Sequence, residues 1–168
     1  MMKSGNAVGV AACLMALLLL AVPSSAAAPE QTQAVQKSKR AAADKKQQHR
    51  VVLQVNTNEP ATMNLALNNA TNVAQYYKDR DEKVAIEVIT FGPGLHMLRA
   101  DTSPVKARIE ALALSSPEIS FKACGNTREN MGKAESKEIP LISQASIVKS
   151  GVVRVMELQE QGWTYVKP

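Results

Sequence analysis

The chain has 168 residues and a formal charge of +5, enough for one domain and a short additional segment. The charge is concentrated outside the domain: residues 29–50 carry six basic side chains against two acidic ones, whereas from Val51 onward 13 basic and 13 acidic side chains cancel. A neutral domain has no field to attract a polyanion, which excludes nucleic acid as the expected partner.

Residues 1–26 have the form of a secretory signal peptide, with Lys3 in front, an apolar run over 7–22 and the small residues Pro23-Ser24-Ser25-Ala26 at the end. The run is shorter than the roughly 20 residues of a spanning helix. Cleavage is expected after Ala26, with export to the periplasm or beyond; uncleaved, the segment would serve as a membrane anchor. Lipidation at Cys13 is not expected, because the strongest apolar run, 14–20, follows that cysteine instead of preceding it. Residues 27–49, rich in Gln, Ala and Lys and including His49, are expected to be a solvated basic linker with at most weak contact to anionic membrane surfaces.

The domain is expected over 50–168. Val51-Val52-Leu53-Gln54-Val55 is a β-branched run ended by Asn56-Thr57-Asn58-Glu59-Pro60. A helix follows over about 61–78, with Met63, Leu67, Ala70, Ala74 and Tyr77 on one face. Residues 84–90 form a second strand, broken by Gly92-Pro93-Gly94 and followed by a loop. Ser103-Pro104 fits a helix start, with Val105, Ile109 and Leu112 sharing a face. Residues 119–123 are a third strand and 145–148 a weaker fourth. Ser150 can cap a helix over 152–161, Gly162 can end it, and 163–166 make the last strand. Alternating strands and helices predict a three-layer α/β/α sandwich with a mostly parallel sheet of about five strands. Sites in such sheets form at the carboxyl ends of strands, which points to the loops 56–60, 92–99 and 124–128.

With the signal removed, Cys124 is the only cysteine. A single thiol cannot form a disulfide within the chain; it is a buried filler, a nucleophile or an intermolecular partner. Asn126 is a plausible N-cap with Glu129 three residues on, which would set the thiol against unpaired helix amides that favour a negative sulfur. Strand alternation places Lys122 on the same side as Cys124, and Arg128 is expected to approach from the helix. His96, beside Arg99 and Asp101, is either a surface histidine or a group that orients a ligand near the thiol. Two histidines and one mature cysteine make no metal cluster. Gly92-Pro93-Gly94 has Met97 where a dinucleotide fingerprint needs its third glycine, and no Walker sequence is present, so no cofactor is expected. Asn69-Ala70-Thr71 matches a glycosylation sequon but falls inside the first helix.

Three blocks together resemble the DsrE/DsrF-like family, of YchN-like fold. They are Ile86-Glu87-Val88-Ile89-Thr90-Phe91-Gly92, Ala123-Cys124-Gly125-Asn126-Thr127-Arg128, and Ser150-Gly151-Val152-Val153 with the ending Gln159-Glu160-Gln161-Gly162-Trp163-Thr164-Tyr165-Val166-Lys167-Pro168. The nearest branch is the small single-domain proteins described as intracellular sulfur oxidation proteins, and the resemblance covers nearly all of 50–168. It implies an α/β/α fold, homo-oligomers (trimers or hexamers), and a cysteine that carries sulfur as a persulfide between donor and acceptor proteins. Cys124 matches the cysteine of the branch's Ala-Cys-x-Asn-Thr motif, with Asn126, Thr127, Arg128 and His96 as the expected ligand-binding groups around it. The export signal departs from the family, whose sulfur relays use cytosolic partners. Two functions follow as expectations: a thiol-based sulfur carrier or sulfurtransferase-like protein, and a non-catalytic oligomer that binds a small ligand.

Overall fold

The computed structural model describes residues 48–168; the expected signal peptide and all but the end of the expected linker lie outside them. Five strands form one sheet: β1 Gln48–Val55, β2 Lys83–Thr90, β3 Ile119–Cys124, β4 Ala145–Val148 and β5 Thr164–Val166. Their order is β4-β3-β2-β1-β5 and every pairing is parallel. The helices are α1 Pro60–Lys78, α2 Lys106–Ser115, α3 Gly125–Glu135 and α4 Gly151–Glu160. This is the expected three-layer α/β fold.

Topology decides which face each helix covers. From β1 to β4 the chain steps across the sheet in one direction, then returns from β4 to β5 at the opposite edge. Right-handed crossovers therefore put α1, α2 and α3 on one face and α4 alone on the other. The cores agree with this. Val51, Leu53, Val55, Ile86, Val88, Phe121 and Ala123 point to the first face and pack with Met63, Leu67 and Ile109 of the helices. Val52 and Ile89 point to the second, where they meet Val155 and Leu158 of α4, flanked by Phe91 and Trp163. The central strand β2 is buried from Ile86 to Thr90, as its near-continuous apolar run requires.

Met63, Leu67, Ala70 and Ala74 form the buried stripe of α1. Tyr77, placed on the same stripe by sequence, instead stacks on His49 with ring centroids 3.9 Å apart. His49 also bonds Glu82 at 3.0 Å and lies in β1, not in a linker, because the strand begins at Gln48. The sequon residue Thr71 is tied to Leu67 O within α1. The stretch after β2 is not an open loop: Gly92–Leu98 winds into a 3-10 segment that buries Leu95, Met97 and Leu98. Gly94 makes this possible, since a Cβ there would stand 2.2 Å from Val55 O.

Arg99 leaves this segment with only 1% of its surface exposed. Its guanidinium forks onto Asp101 (2.9 and 2.8 Å) and Glu135 (2.5 and 2.9 Å), and Lys137 reaches both carboxylates at 3.1 Å. Hydrogen bonds from Arg99 and Lys137 hold the Glu135 carboxyl at about 2, and the Arg99 bond holds Asp101 well below the usual carboxylate range. Both groups release protons more readily when folded, so their stabilisation is complete above the ordinary carboxylate range near about 4 and is lost as pH falls toward about 2. Urea midpoints measured from pH 6 to pH 2 should fall through that window. Arg99→Met should be less stable at pH 6 and should lose less on acidification.

Candidate functional site

Cys124 ends β3 and is also the N-cap of α3, which begins at Gly125. The capping position expected at Asn126 is therefore two residues earlier: the strand delivers the thiol directly to the helix start. Alternation along β3 turns Lys122 and Cys124 to the α4 side of the sheet, opposite Phe121 and Ala123. The next βα turn lies alongside, because Cys124 pairs with Val148 at the end of β4 and α4 starts at Gly151.

Two glycines let the turns pack back to back. A Cβ on Gly125 would stand 3.2 Å from Val148 O, and one on Gly151 would stand 3.2 Å from Cys124 Cβ and 2.8 Å from Phe91 Cδ1. The Asn126 amide closes the contact by donating to Lys149 O at 3.2 Å. The starts of α3 and α4 thus converge on one sulfur.

Cys124 is only 4% exposed. Burial pushes its thiol pKa up, but the Thr127 hydroxyl and the backbone amides of Gly151, Thr127 and Asn126 outweigh that and bring it below its ordinary value. No side-chain capping bond is formed with the thiol as it stands; these donors act on the charged sulfur, whose attraction for them is stronger than that of a neutral thiol. The amide dipoles of two helix starts supply a field that a single helix would supply only in part.

Of the residues expected around the thiol, Thr127 does most to favour its charged form, through hydroxyl and amide; the Asn126 amide, already donating to Lys149 O, adds least. Arg128 does not reach it: its Nε donates to Ile139 O at 2.8 Å and its guanidinium pairs with Glu138 at 2.6 Å. His96 is engaged elsewhere, with Nδ1 2.8 Å from Thr102 Oγ1. Lys122 shares the thiol's side of the sheet but bonds Ser146 Oγ at 2.9 Å. Gly151 and Gly92 went unrecognised as site residues in the sequence. The signals for them were Ser150-Gly151 at a helix start after a strand and the place of Gly92, whose amide donates to Thr127 Oγ1 at 3.0 Å, at the head of the candidate loop 92–99.

On the same side of the sheet an open cleft of about 600 Å³ is lined by Asn126, Val148, Lys149, Val153, Arg154 and Glu157. A cavity of about 640 Å³ sits at the opposite, amino end of the sheet, lined by Lys83, Pro117 and Glu118, and no cysteine lines it. Among the described residues no group of three His, Cys, Asp or Glu side chains could hold a metal ion, and no helix is long and apolar enough to cross a membrane.

The chain is similar in structure to a protein of unknown function, MTH1491, from Methanobacterium thermoautotrophicum. The two share 26% identity over 71% of this chain and 99% of that one, with a TM-score of 0.60. No protein-family model matches the chain and no curated protein is significantly similar to it.

The contact between the two turns yields a prediction. Gly151→Ala forces the α4 start away from Cys124 and Phe91, removing one amide from the sulfur. Alkylation of native Cys124 by iodoacetamide at pH 7 should slow by roughly tenfold, the weight of one hydrogen bond to a charged group, while alkylation after unfolding stays unchanged.

Proposed function

We propose that the protein is an exported thiol-based sulfur carrier, sulfurtransferase-like in its chemistry, that works through Cys124. The observation that carries this reading is the meeting of the α3 and α4 starts at one buried sulfur, so close that a Cβ on Gly151 would stand 3.2 Å from Cys124 Cβ; the donors there bring the thiol pKa below its ordinary value. An inert core thiol gains nothing from such an arrangement, whereas a nucleophile gains thiolate at neutral pH. The likeness of Ala123-Cys124-Gly125-Asn126-Thr127 to the DsrE/DsrF-like motif supports the same reading.

The chemistry balances without a cofactor. The Cys124 thiolate attacks the terminal sulfane sulfur of a polysulfide or related donor; a new S–S bond forms, the donor's terminal S–S bond breaks, and its electron pair leaves with the shortened donor. An acceptor thiolate then attacks the outer sulfur of the Cys124 persulfide, and Cys124 departs again as thiolate. A depressed pKa helps both steps, raising the reactive fraction in the first and improving the leaving group in the second. With 4% exposure, Cys124 accepts small inorganic donors directly, and a protein partner must present its sulfur through a narrow approach.

The reading includes a homo-oligomer, trimer or hexamer. Val152, Val153 and Met156 form an exposed apolar stripe on α4, the only helix on its face of the sheet among the described residues, and such stripes mark contact surfaces.

A binding protein without chemistry is the competing reading, favoured by the open cleft beside α4. Intact-protein mass spectrometry after polysulfide treatment separates the two. A carrier gains about 32 daltons on Cys124 by the sulfur chemistry above, loses the adduct to added thiol and gains nothing as Cys124→Ser. A native Cys124 that takes up no sulfur, together with a Cys124→Ser variant of unchanged activity, would overturn the proposal.

A further inference from the structure

We infer that the exposed face of α4 binds the same face of a second copy of this chain, antiparallel, about a two-fold axis between Val153 and Met156. The inference rests on the homo-oligomer of the preceding reading and names one of its surfaces; it does not depend on what Cys124 does.

Gly151, Val155 and Leu158 are the buried side of α4. The outer side is apolar at its middle: Val153 is 47% exposed and Met156 55%, with Val152 at 53% beside them. A single valine or methionine at a surface is ordinary, but neighbours on one helix face make a patch. The same line carries a charge at each end. Lys149, Val153, Met156 and Glu160 recur at intervals of four, three and four, the spacing of one helix face, and all four are exposed. Lys149 precedes the Ser150 cap and lines a cleft together with Val153, which sets it on that line. Neither Lys149 nor Glu160 has an ion-pair partner among the described residues, whereas Arg154 is paired with Glu87 and with Glu157.

This order of groups is its own complement. Turned end for end, the line reads Glu, Met, Val, Lys at the same intervals. An antiparallel second copy therefore sets Lys149 against Glu160 and Val153 against Met156, and the two-fold makes each contact twice. The helix dipoles agree, since each lysine meets the negative end of the facing helix. A different protein would have to match this order, whereas a second copy supplies it by symmetry. The pairing also changes the open cleft of about 600 Å³ beside α4, which Lys149 and Val153 help to line. Glu160 and Met156 of the second copy then form a further wall of it, so a ligand held there would touch both copies.

The test is the mass of the assembly in solution, by light scattering on the protein as isolated from cells. The parent should form an even-numbered assembly, because a two-fold contact pairs its copies. Met156→Glu places a carboxylate at the centre of the contact twice over. It should raise the concentration needed for pairing roughly a hundredfold, as loss of a central apolar anchor does, and halve the mass at working concentration. Lys149→Glu and Glu160→Lys should each weaken pairing roughly tenfold by facing like charges in two places, and the two reversals together should restore it. Far-UV dichroism and melting temperature check that each variant keeps its fold; should Met156→Glu lose it, the charge reversals carry the test. A monomer, the result if a different protein or residues 1–47 take this face, would overturn the inference together with the oligomer. A trimer, or an even-numbered assembly that ignores these substitutions or is not restored by the double reversal, would overturn the inference and leave the oligomer standing. Sulfur uptake by the parent, scored by mass, decides the carrier reading separately.

Discussion

The structure is organised around the cost of placing charge on a buried sulfur. A thiol that is 4% exposed ordinarily stays protonated, because the interior solvates an anion poorly. Here the lost solvent is replaced by fixed dipoles from two helix starts and one hydroxyl. Such groups are already oriented, so they stabilise developing charge without reorganising. The arrangement depends on adjacent strands β3 and β4 ending side by side, and on Gly125 and Gly151 admitting main chain where any side chain would intrude.

Two ion pairs, each with one buried member, hold those parts in place. Glu87 on β2 is 7% exposed and receives Arg154 of α4 through two bonds, 2.6 and 3.1 Å long. The pair fastens α4 to the centre of the sheet, which fixes the position of Gly151. On the first face, Arg99 links the segment after β2 to the end of α3 through Glu135. The same segment begins with Gly92, and the same helix is capped by Cys124 and carries Thr127, so the cluster steadies both ends of the Gly92–Thr127 hydrogen bond. Breaking either pair leaves its buried member, Arg99 or Glu87, without a counter-charge, which is costly and suits the pairs to fixing geometry.

The layers were legible from local pattern because burial imposes period. The β-branched runs of β1 and β2, the alternation of β3 and the Met63-Leu67-Ala70-Ala74 stripe each announce their element without tertiary information. Legibility failed where distant chain segments decide the outcome. Gly92-Pro93-Gly94 reads as a breaker, yet close approach to Val55 turns it into a packed 3-10 segment. His49 resembles its basic neighbours in sequence, yet Tyr77 and Glu82 capture it in the sheet. The importance of Cys124 was visible from its solitude and its place after a strand. Its surroundings were not: Arg128 is drawn away by Glu138 and the Ile139 carbonyl, while the Gly151 amide arrives from 27 positions downstream. Asn126 is a better cap by residue type than Cys124, and the strand's end point, not propensity, decided between them.

The central claim, that the fold stabilises a buried thiolate at Cys124, is tested most directly by titrating that thiol in the folded protein. Thiolate absorbance near 240 nm would be followed against pH, with Cys124→Ser as the blank. The account predicts a midpoint below the value of about 8.5 for a free cysteine, returning to that value when the protein is unfolded in urea. A native midpoint at or above that of the unfolded chain would contradict it, and would mark Cys124 as a core thiol whose burial outweighs the dipoles around it.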